Sequence, residues 1–320
     1  MKSELFIIMY HYVRELSQTR YPRIKGLLLS QFREQLCFLR DKGCRFVSAS
    51  QVLEAAGGGD ALEPNSVLLT FDDGYIDHYT NVFPLLDELG IPAFFSMPGK
   101  IIAEKKLLDV NRVHFILAST PIEKLVPLCF TYLDYYRGGE FDIAPNEELY
   151  HKLAVANRFD DKDTIFVKRL LQVELPERLR NQITRKMFEQ CVGMSEKQFA
   201  GELYLSLDQV KTMQRHGMEW GIHGYDHYWM NRLAPQELER DIASALDVFD
   251  GIVPRQNWVC CYPYGSVSDD VVACAKRFGA GGGYTTEVRK ANLARDSIYA
   301  LPRLDTNDFP PKSSQYLNFE

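Results

Sequence analysis

Residues 67–74 read Val-Leu-Leu-Thr-Phe-Asp-Asp-Gly, an apolar run that ends on two adjacent carboxylates and a glycine. An apolar run of this length predicts a strand buried on both faces, with Asp72 and Asp73 at its carboxyl end. Neighbouring side chains of a strand point to opposite faces, so both acids can face one site only if the backbone turns there. Gly74 supplies the freedom for such a turn. Taken alone, Asp-Asp-Gly is also typical of a turn that merely closes a strand.

The composition is that of an ordinary globular protein. With 320 residues, of which 46% are hydrophobic, the chain can bury one large core or two modest ones. The net charge of -6 offers no polycationic surface to nucleic acid. The first apolar segment, interrupted by Glu4 and followed by His11, is too brief for a signal-peptide core or a membrane span. We therefore expect a cytoplasmic protein that binds no nucleic acid and spans no membrane.

The cysteines give a second indication of the compartment. There are seven, an odd number, scattered through apolar surroundings such as those of Cys37, Cys44 and Cys274. This pattern indicates reduced thiols in the core rather than a framework of disulfides.

Apolar runs alternate with helical patterns along most of the chain. Residues 76–89 predict an amphipathic helix between the strand at 67–71 and a strand at 91–97, and a strand-helix-strand unit of this length implies a parallel sheet. The other predicted strands are 6–10, 45–47, 218–222, 257–261, 281–285 and 298–304. Because polar residues collect after several of these strands, the pattern favours an α/β barrel, whose strand ends form the mouth of the active site.

Residues 105–203 differ from the rest, because predicted strands disappear and helical stretches carry many aromatic and charged residues. We interpret them as a helical insertion within a single domain that spans residues 1–320. Aromatic residues of the insertion, such as Phe130 and Tyr135, can pack on the barrel or stack on a sugar ring. We expect the insertion to narrow the mouth to a pocket that selects a small or activated sugar.

A second motif, His223-Gly-Tyr-Asp-His227, follows the predicted strand at 218–222 and places two imidazoles four residues apart. This spacing lets both rings reach one ion, although such pairs alone are more often solvent-facing. One aspartate from another strand end would complete a set of two histidines and a carboxylate, which leaves positions open for water and substrate.

A third segment, Cys260-Cys261-Tyr262-Pro263-Tyr264-Gly265, follows the apolar pair Trp258 and Val259. Pro263 and Gly265 predict a tight turn. Its backbone amides can face an oxyanion, or the turn can serve only to connect a strand to a helix.

These three segments, in this order, resemble the polysaccharide deacetylase family, metal-dependent carbohydrate esterases that include chitin and peptidoglycan deacetylases. The resemblance covers residues 5–100 and 204–308 and implies an irregular, seven-stranded (β/α) barrel with a helical insertion. Thr70-Phe71-Asp72-Asp73-Gly74 matches the first motif of the family, which makes Asp72 the general base and Asp73 a metal ligand. The second motif makes His223 and His227 the other ligands.

The chain departs from the family pattern at three points. Gly224 stands where the second motif has a hydroxyl side chain, so a supporting contact must come from elsewhere. Cys261 stands where the third motif has an arginine, and Arg303, near the last predicted strand, is our candidate to replace it as the partner of the base. No histidine follows His227, so His11 is the candidate general acid, as in family members with permuted motifs.

The resemblance also implies that the amide of Tyr264 lines an oxyanion site.

The sequence thus predicts a metal-dependent hydrolase that removes an N-acyl group, in the first instance acetyl, from an amino sugar. We expect zinc, with cobalt, nickel or manganese as alternatives. The expected substrate is an intracellular precursor of a cell-surface glycan: a sugar nucleotide, a lipid-linked sugar or an oligosaccharide. Two other interpretations stay open, an amidase acting on a non-sugar amide or imide and an inactive, sugar-binding homologue. The sequence does not fix the oligomeric state.

Overall fold

The computed structural model describes residues 4–17, 19–157 and 160–317. The chain forms two compact units. The first, which we call the barrel unit, comprises Met1–Glu15, Gly26–Lys105 and Gly201–Glu320. The second, the helical unit, comprises Leu16–Lys25 and Lys106–Ala200.

Among the described residues of the barrel unit, nine strands make up one sheet, in the order β7-β6-β5-β4-β3-β1-β8, with β2 beside β3 and β9 beside β1. Their bounds are β1 Glu4–Tyr10, β2 Arg45–Phe46, β3 Ser66–Phe71, β4 Phe94–Met97, β5 Glu219–Ile222, β6 Trp258–Cys261, β7 Ala280–Tyr284, β8 Ala291–Asn292 and β9 Leu304–Asp305. All of these pairs are parallel except β1 with β8. The predicted parallel sheet is therefore confirmed.

The stretch from Leu301 to Asp305 joins the two sides of the sheet. Leu301 forms a parallel bridge with Tyr284 of β7, and Leu304 pairs with Ile8 of β1. The hydrogen bonds from Thr285 N to Leu301 O (2.8 Å) and from Leu301 N to Gly283 O (2.9 Å) continue the ladder. The sheet consequently curls into an irregular barrel of seven strand positions, with the short β2 and β8 added to it, as the sequence predicted.

Strand β3 lies between β4 and β1 in the wall of this barrel and is buried at all six positions. It pairs with β1 over its whole length, from Leu5 opposite Ser66 to Tyr10 opposite Phe71. One face of the sheet contributes to a core cluster consisting of Leu5, Ile7, Val47, Ala49, Val52, Leu68, Phe94, Val259, Cys261, Tyr284, Ala291 and Leu301. The other face carries a row of stacked rings, Tyr10, Phe71, Phe95 and Trp220, with neighbouring centroids 4.9–5.3 Å apart. Burial of each such ring contributes about 1.5–3 kcal/mol.

The α-helices are α1 Leu29–Asp41, α2 Ala49–Ala56, α3 Phe83–Leu89, α4 Gly99–Ala103, α5 Asp109–Ser119, α6 Ile122–Tyr136, α7 Asn146–Leu153, α8 Lys162–Arg169, α9 Glu177–Val192, α10 Glu196–Leu203, α11 Leu207–Arg215, α12 Pro235–Val248 and α13 Asp269–Arg277. Amphipathic helices α11, α12 and α13 each bury an apolar face, as their sequence periodicity predicted.

The helical unit has its own aromatic core. Phe199 is the centre of this core, with its ring centroid 4.5 Å from that of Phe115 and 5.2 Å from that of Phe188. Phe130 packs on Phe166, a residue of the same unit, with ring centroids 5.6 Å apart. Tyr135 differs, because its side chain is 72% exposed.

The predicted helix at 76–89 is confirmed, with a π-helical turn, His78–Val82, inside it ahead of α3. Three details of the sequence prediction are wrong. Residues 298–300 belong to a 3-10 helix rather than a strand, because Ser297 Oγ accepts a hydrogen bond from Tyr299 N and so begins a helical turn. Helix α6 was missed, since Pro127 lies inside it. All seven cysteines are free, but Cys37 is exposed rather than buried.

Candidate metal centre and active site

The carboxyl ends of four strands deliver the residues that the sequence singled out. β1 leads to His11, β3 to Asp72 and Asp73, β5 to His223, and β6 ends at Cys261. Asp72 continues the parallel ladder, since its N–H donates to Tyr10 O at 3.0 Å. The β1 and β3 ends therefore lie side by side, with His11 next to the two aspartates in register.

Asp72 and Asp73 face one site because the backbone reverses between them. By strand alternation Asp72 lies on the same side as Leu68 and Thr70, towards the barrel interior, and Asp73 would point the other way. Asp73 instead adopts φ of 73°, followed by Gly74 with φ of 65°. A Cβ at position 74 would lie 2.7 Å from Met97 Cβ, so the turn needs glycine for space as well as for its dihedral angle. The turn expected from the sequence thus involves the aspartate itself, one of the few residues that tolerate this conformation.

Asp73, His223 and His227 converge on one point. Asp73 Oδ1 lies 3.4 Å from His223 Nε2 and 3.3 Å from His227 Nε2. The three residues are buried, and their nearest ligand atoms all lie within 4.8 Å of one another. Two imidazoles and one carboxylate are a donor set that zinc and similar divalent ions prefer at sites with open positions.

The hydrogen bonds around these residues leave the converging atoms available. His223 Nδ1 donates to the backbone carbonyl of Cys261 at 2.6 Å, so the lone pair lies on Nε2. Tyr75 Oη donates to Asp73 Oδ2 at 2.6 Å. Asp73 Oδ1 is buried and accepts no hydrogen bond among the described residues, which is costly unless a cation neutralises it. The group therefore fits a divalent metal ion.

Opposing effects act on the pKa values of Asp73, His227 and His223. Burial alone would raise the pKa of Asp73, but the nearby imidazoles of His223 and His227 outweigh it and hold the pKa well below its ordinary value. Burial lowers the pKa of His227 below its usual range. Burial would also lower the pKa of His223, yet the negative charges of Asp72 and Asp73 prevail and raise it.

Asp72 forms a buried ion pair with Arg303. Arg303 Nη2 lies 2.7 Å from Asp72 Oδ2, and Nη1 donates to Oδ1 at 3.0 Å. Ser96 Oγ donates to the same Oδ1 at 2.8 Å. Although burial favours the protonated form, Arg303, and after it His223 and His11, lower the pKa of Asp72 far enough to keep it ionised.

Arg303 is itself fully buried and held in place by neighbours. Its Nε donates to Thr285 O at 2.8 Å, and its Nη1 also donates to Thr70 Oγ1 at 3.2 Å. Cys261 Sγ lies 3.6 Å from the same Nη1. Position 261 therefore points at the Asp72–Arg303 pair, where the resemblance placed an arginine. Burial raises the pKa of the Cys261 thiol, so the thiol stays neutral.

His11 is half-buried beside the two aspartates and contributes to the lowered pKa of both carboxyl groups. Its backbone carbonyl accepts a hydrogen bond from His78 Nε2 at 2.9 Å. His78 is completely buried, and burial lowers its pKa to about 4, so it is neutral near pH 7 and donates through Nε2. Sequence analysis did not identify this residue, because its partner is a backbone atom that no motif records.

Tyr264 lies in the turn after β6 with φ of 59° and ψ of 13°. Its ring centroid is 4.8 Å from that of His227, and the ring stacks on Trp229 at 4.6 Å with an interplanar angle of 8°. Arg232 lies over the indole of Trp229, 5.0 Å from a ring centroid. The turn is thereby packed directly against a candidate metal ligand.

A further carboxylate, which sequence analysis missed, supports the loop between the two histidines. Asp241, on α12, accepts hydrogen bonds from Tyr225 N and Asp226 N, both at 3.0 Å. Nothing in the sequence around Asp241 distinguishes it from the other acids of an amphipathic helix.

The structure thus brings together Asp72, Asp73, His223, His227 and Arg303, with His11 and Tyr264 beside them. Their individual roles as base, acid, ligands and oxyanion donor remain predictions. Among the described parts of the chain, no helix combines the length and apolarity that crossing a membrane requires.

Comparison with known proteins shows the family to which the chain belongs. The model of the family described as polysaccharide deacetylase matches residues 59–114 and 141–282, well over half of the chain. YxkH of Bacillus subtilis (strain 168), whose name assigns it to the polysaccharide deacetylases, is 21% identical over 303 residues, which span 94% of this chain and 71% of that protein. Poly-beta-1,6-N-acetyl-D-glucosamine N-deacetylase of Escherichia coli (strain K12) is 43% identical over 77 residues, 24% of this chain and 12% of the enzyme.

The fold has a solved counterpart in the deacetylase PplD of Streptococcus pyogenes. The two superpose with a TM-score of 0.60 at 17% identity, covering all of this chain and 97% of PplD. The chain belongs to the polysaccharide deacetylase family. It is therefore a hydrolase, a carbohydrate deacetylase, with the barrel of that family.

Proposed function

We propose that the protein is a metal-dependent N-deacetylase of an acetylated amino sugar. The observation that carries the proposal is the convergence of Asp73, His223 and His227 on one point, next to the ionised Asp72. A Lewis acid and a base would then act on the same water molecule, which is one way to hydrolyse an amide. Family membership supports the same reaction class.

Asp73, His223 and His227 would hold the ion, which we propose to be zinc, with cobalt, nickel or manganese as alternatives. When bound there, the ion supplies a Lewis acid that makes water more acidic and polarises the acyl carbonyl. The Cys261 carbonyl fixes the tautomer of His223, and Tyr75 orients the carboxylate of Asp73.

Asp72 is the proposed general base. Arg303 and Ser96 fix its carboxylate, and the guanidinium keeps it ionised, so it can take a proton from water as the oxygen attacks the acyl carbon. A carboxylate held this strongly is a weak base, so Asp72 would need a water molecule that the bound ion had made more acidic. Arg303 acts through Asp72 and is in this proposal a positioning residue.

The proposed second half of the reaction breaks the carbon–nitrogen bond. The amide of Tyr264 would donate to the developing oxyanion, an interaction typically worth about 3–4 kcal/mol. His11 would give a proton to the departing nitrogen, since an amine leaves poorly without one. Acetate and a free amino sugar result. His78 would position His11 through its bond to the His11 carbonyl.

The proposed substrate can be either a small precursor or a polymer, and the two versions of the proposal differ in its size. The sequence suggests a small or activated intracellular precursor, such as a sugar nucleotide or a lipid-linked sugar. The name of the Escherichia coli relative, which shares 43% identity over 77 residues, favours a polymer of N-acetylglucosamine. Release of acetate from an acetylated sugar nucleotide is to be compared with release from β-1,6- and β-1,4-linked N-acetylglucosamine oligomers of increasing length. A rate that grows with oligomer length would overturn the precursor version.

The metal site is tested by elemental analysis of the purified protein and of variants. We expect one divalent ion per chain, lost in Asp73→Ala, His223→Ala and His227→Ala. His216→Ala is the matched control, since this histidine is 49% exposed and pairs with Asp87 outside the site. Full occupancy in all three site variants would remove the basis of the assignment.

The base is tested by Asp72→Asn. We expect the ion to be retained and acetate release to fall by about 10²–10⁴-fold, because the amide keeps the shape but cannot accept the proton. A nearly normal rate would show that another group is the base. Hydrolysis of simple amides with no activity on acetylated sugars would favour the amidase alternative, and bound sugar without turnover would favour an inactive homologue.

A further inference from the structure

We propose that Asp241 is a positioning residue of the metal centre, whose carboxylate holds the loop between His223 and His227 and makes glycine necessary at position 224. The inference rests on the proposed function, because it treats those two histidines as ligands. In this inference the helix that follows the motif, α12, gives the support that a hydroxyl inside the motif would otherwise give.

The loop is held from two sides by backbone hydrogen bonds. On one side Gly99 N donates to Gly224 O at 3.1 Å, and Lys100 N donates to Tyr225 O at 3.0 Å. On the other side the two oxygens of Asp241 accept one hydrogen bond each, from Tyr225 N and Asp226 N. Asp241 therefore supplies the acceptors for two consecutive amides, and both lie between the proposed ligands.

Gly224 and Asp241 depend on each other in space. Gly224 has φ of 68°, and a Cβ built there would lie 2.8 Å from Asp241 Oδ2. A side chain at position 224 would therefore displace the carboxylate that anchors the loop. The Asp241 carboxylate thus fills the space that a side chain at position 224 would need. It also binds loop amides that a hydroxyl in the motif could otherwise bind.

The orientation of His227 requires a fixed loop. His227 adopts φ of 63°, which is rare for a residue with a side chain, and its ring faces both His223 and Asp73. A residue held in this conformation persists only when its surroundings determine it. The two bonds to Asp241 fix the preceding residues and so restrict where the His227 ring can point.

Charged neighbours place Asp241 in an ionic network. Lys100 Nζ pairs with Asp226 Oδ1 at 2.7 Å, which places a cation beside the loop and near Asp241. A surface cavity of about 350 Å³ adjoins the loop and is lined by Glu237, Arg240 and Asp241 itself. Removing the Asp241 side chain would admit water from this cavity, so we expect the loop to loosen rather than the helix to unfold.

The test measures metal affinity. The zinc dissociation constant of the whole chain is determined by competition with a chelator for the wild type, Asp241→Asn and Asp241→Ala. Supporting contacts of this kind change metal affinity by about 10- to 100-fold, so we expect a weakening in that range for Asp241→Ala. Asp241→Asn keeps one acceptor and should fall between the wild type and the alanine variant. Asp247→Asn is the control, because Asp247 lies on the same helix with its side chain 72% exposed.

Two further measurements distinguish positioning from general stability. With Co²⁺ as the probe, the visible absorption of Asp241→Ala should change in shape, which reports on ligand geometry. In a double-mutant cycle, Gly224→Ser alone should weaken zinc binding through its collision with Asp241. Gly224→Ser combined with Asp241→Ala should bind better than the two separate losses predict, because the collision is gone and a hydroxyl can take one amide.

The possible results distinguish a failure of the role of Asp241 from a failure of the proposed function. Wild-type zinc affinity and cobalt spectrum in Asp241→Ala would overturn the role of Asp241 while leaving the proposed function intact. Strictly additive losses in the cycle would overturn the dependence between Gly224 and Asp241. A wild-type chain that binds no divalent ion would overturn the proposed function and, with it, this role. Thermal unfolding of each variant without metal shows whether the fold is retained, and Asp241→Asn serves if the alanine variant does not fold.

Discussion

Replacing Arg303 by methionine leaves a buried carboxylate without its cation, and we expect this variant to be strongly destabilised. The guanidinium is fully buried, with Nη2 2.7 Å from Asp72 Oδ2. At that separation, with an effective dielectric constant of about 20, the two charges attract each other by about 6 kcal/mol. Part of this attraction only offsets the desolvation of both groups. Removal of one partner from such a pair destabilises a fold by about 3–5 kcal/mol.

The assay is urea unfolding of Arg303→Met, Asp72→Asn and the double variant, followed by circular dichroism. Arg303→Met should lose about 3–5 kcal/mol of unfolding free energy. The double variant should recover a large part of this loss, because it buries no unpaired charge. Arg255→Met is the control, since that arginine pairs with Asp247 and Asp250 on the surface. If Arg303→Met were as stable as this control, the reasoning about the buried pair would be refuted.

The same pair can be rebuilt from the position where the family resemblance places an arginine. Cys261 Sγ lies 3.6 Å from Arg303 Nη1, so a longer side chain at position 261 would reach Asp72 once Arg303 is shortened. Cys261→Arg combined with Arg303→Ala should therefore be more stable, and more active in acetate release, than Arg303→Ala alone. A folded double variant without any recovery would show that the two positions are not interchangeable.

Two other predictions concern groups around the site. Tyr75→Phe removes the hydroxyl that donates to Asp73 Oδ2 at 2.6 Å and should weaken zinc binding by about 10-fold or more in a chelator competition; unchanged affinity would exclude an orienting role. Burial raises the pKa of Asp241 from 3.8 to about 6, so the folded state holds more protons than the unfolded state between these values, and stability falls as pH rises. Relative to Asp241→Asn, the wild type should lose about 2–3 kcal/mol of unfolding free energy between pH 4 and pH 7, measured by urea unfolding. A difference that stays constant with pH would contradict the raised pKa.

The sequence was sufficient to predict the barrel and much of the site. The apolar run of β3 and the strand-helix-strand spacing that follows it specify a parallel sheet, because burial on both faces demands such a pattern. His223 and His227 were identifiable because their spacing is local and both follow one strand. The two aspartates were identifiable for the same reason. In each case the informative residues lie within a few positions of one another.

Other parts depended on contacts between distant residues. Arg303 was inferred only from the absence of an arginine near Cys261, and its pairing with Asp72 joins residues 231 positions apart. His78 and Asp241 were not identified at all, because each forms hydrogen bonds with backbone atoms. Every residue has these atoms, so residue identity does not reveal such a contact. The π-helical turn that carries His78 likewise looks like ordinary helix in its residue pattern.

The sequence by itself determined the positions of most strands along the chain, the motif residues and the chemistry that those residue types can perform, since local periodicity and side-chain identity suffice for these. Only the tertiary structure decided that Asp73 turns to join both histidines, that Arg303 neutralises Asp72, and that Asp241 holds the loop at Gly224. These arrangements depend on a barrel that brings distant strand ends and helices within hydrogen-bonding distance. No pattern along the chain encodes such distances, which arise from the packing of the whole barrel unit.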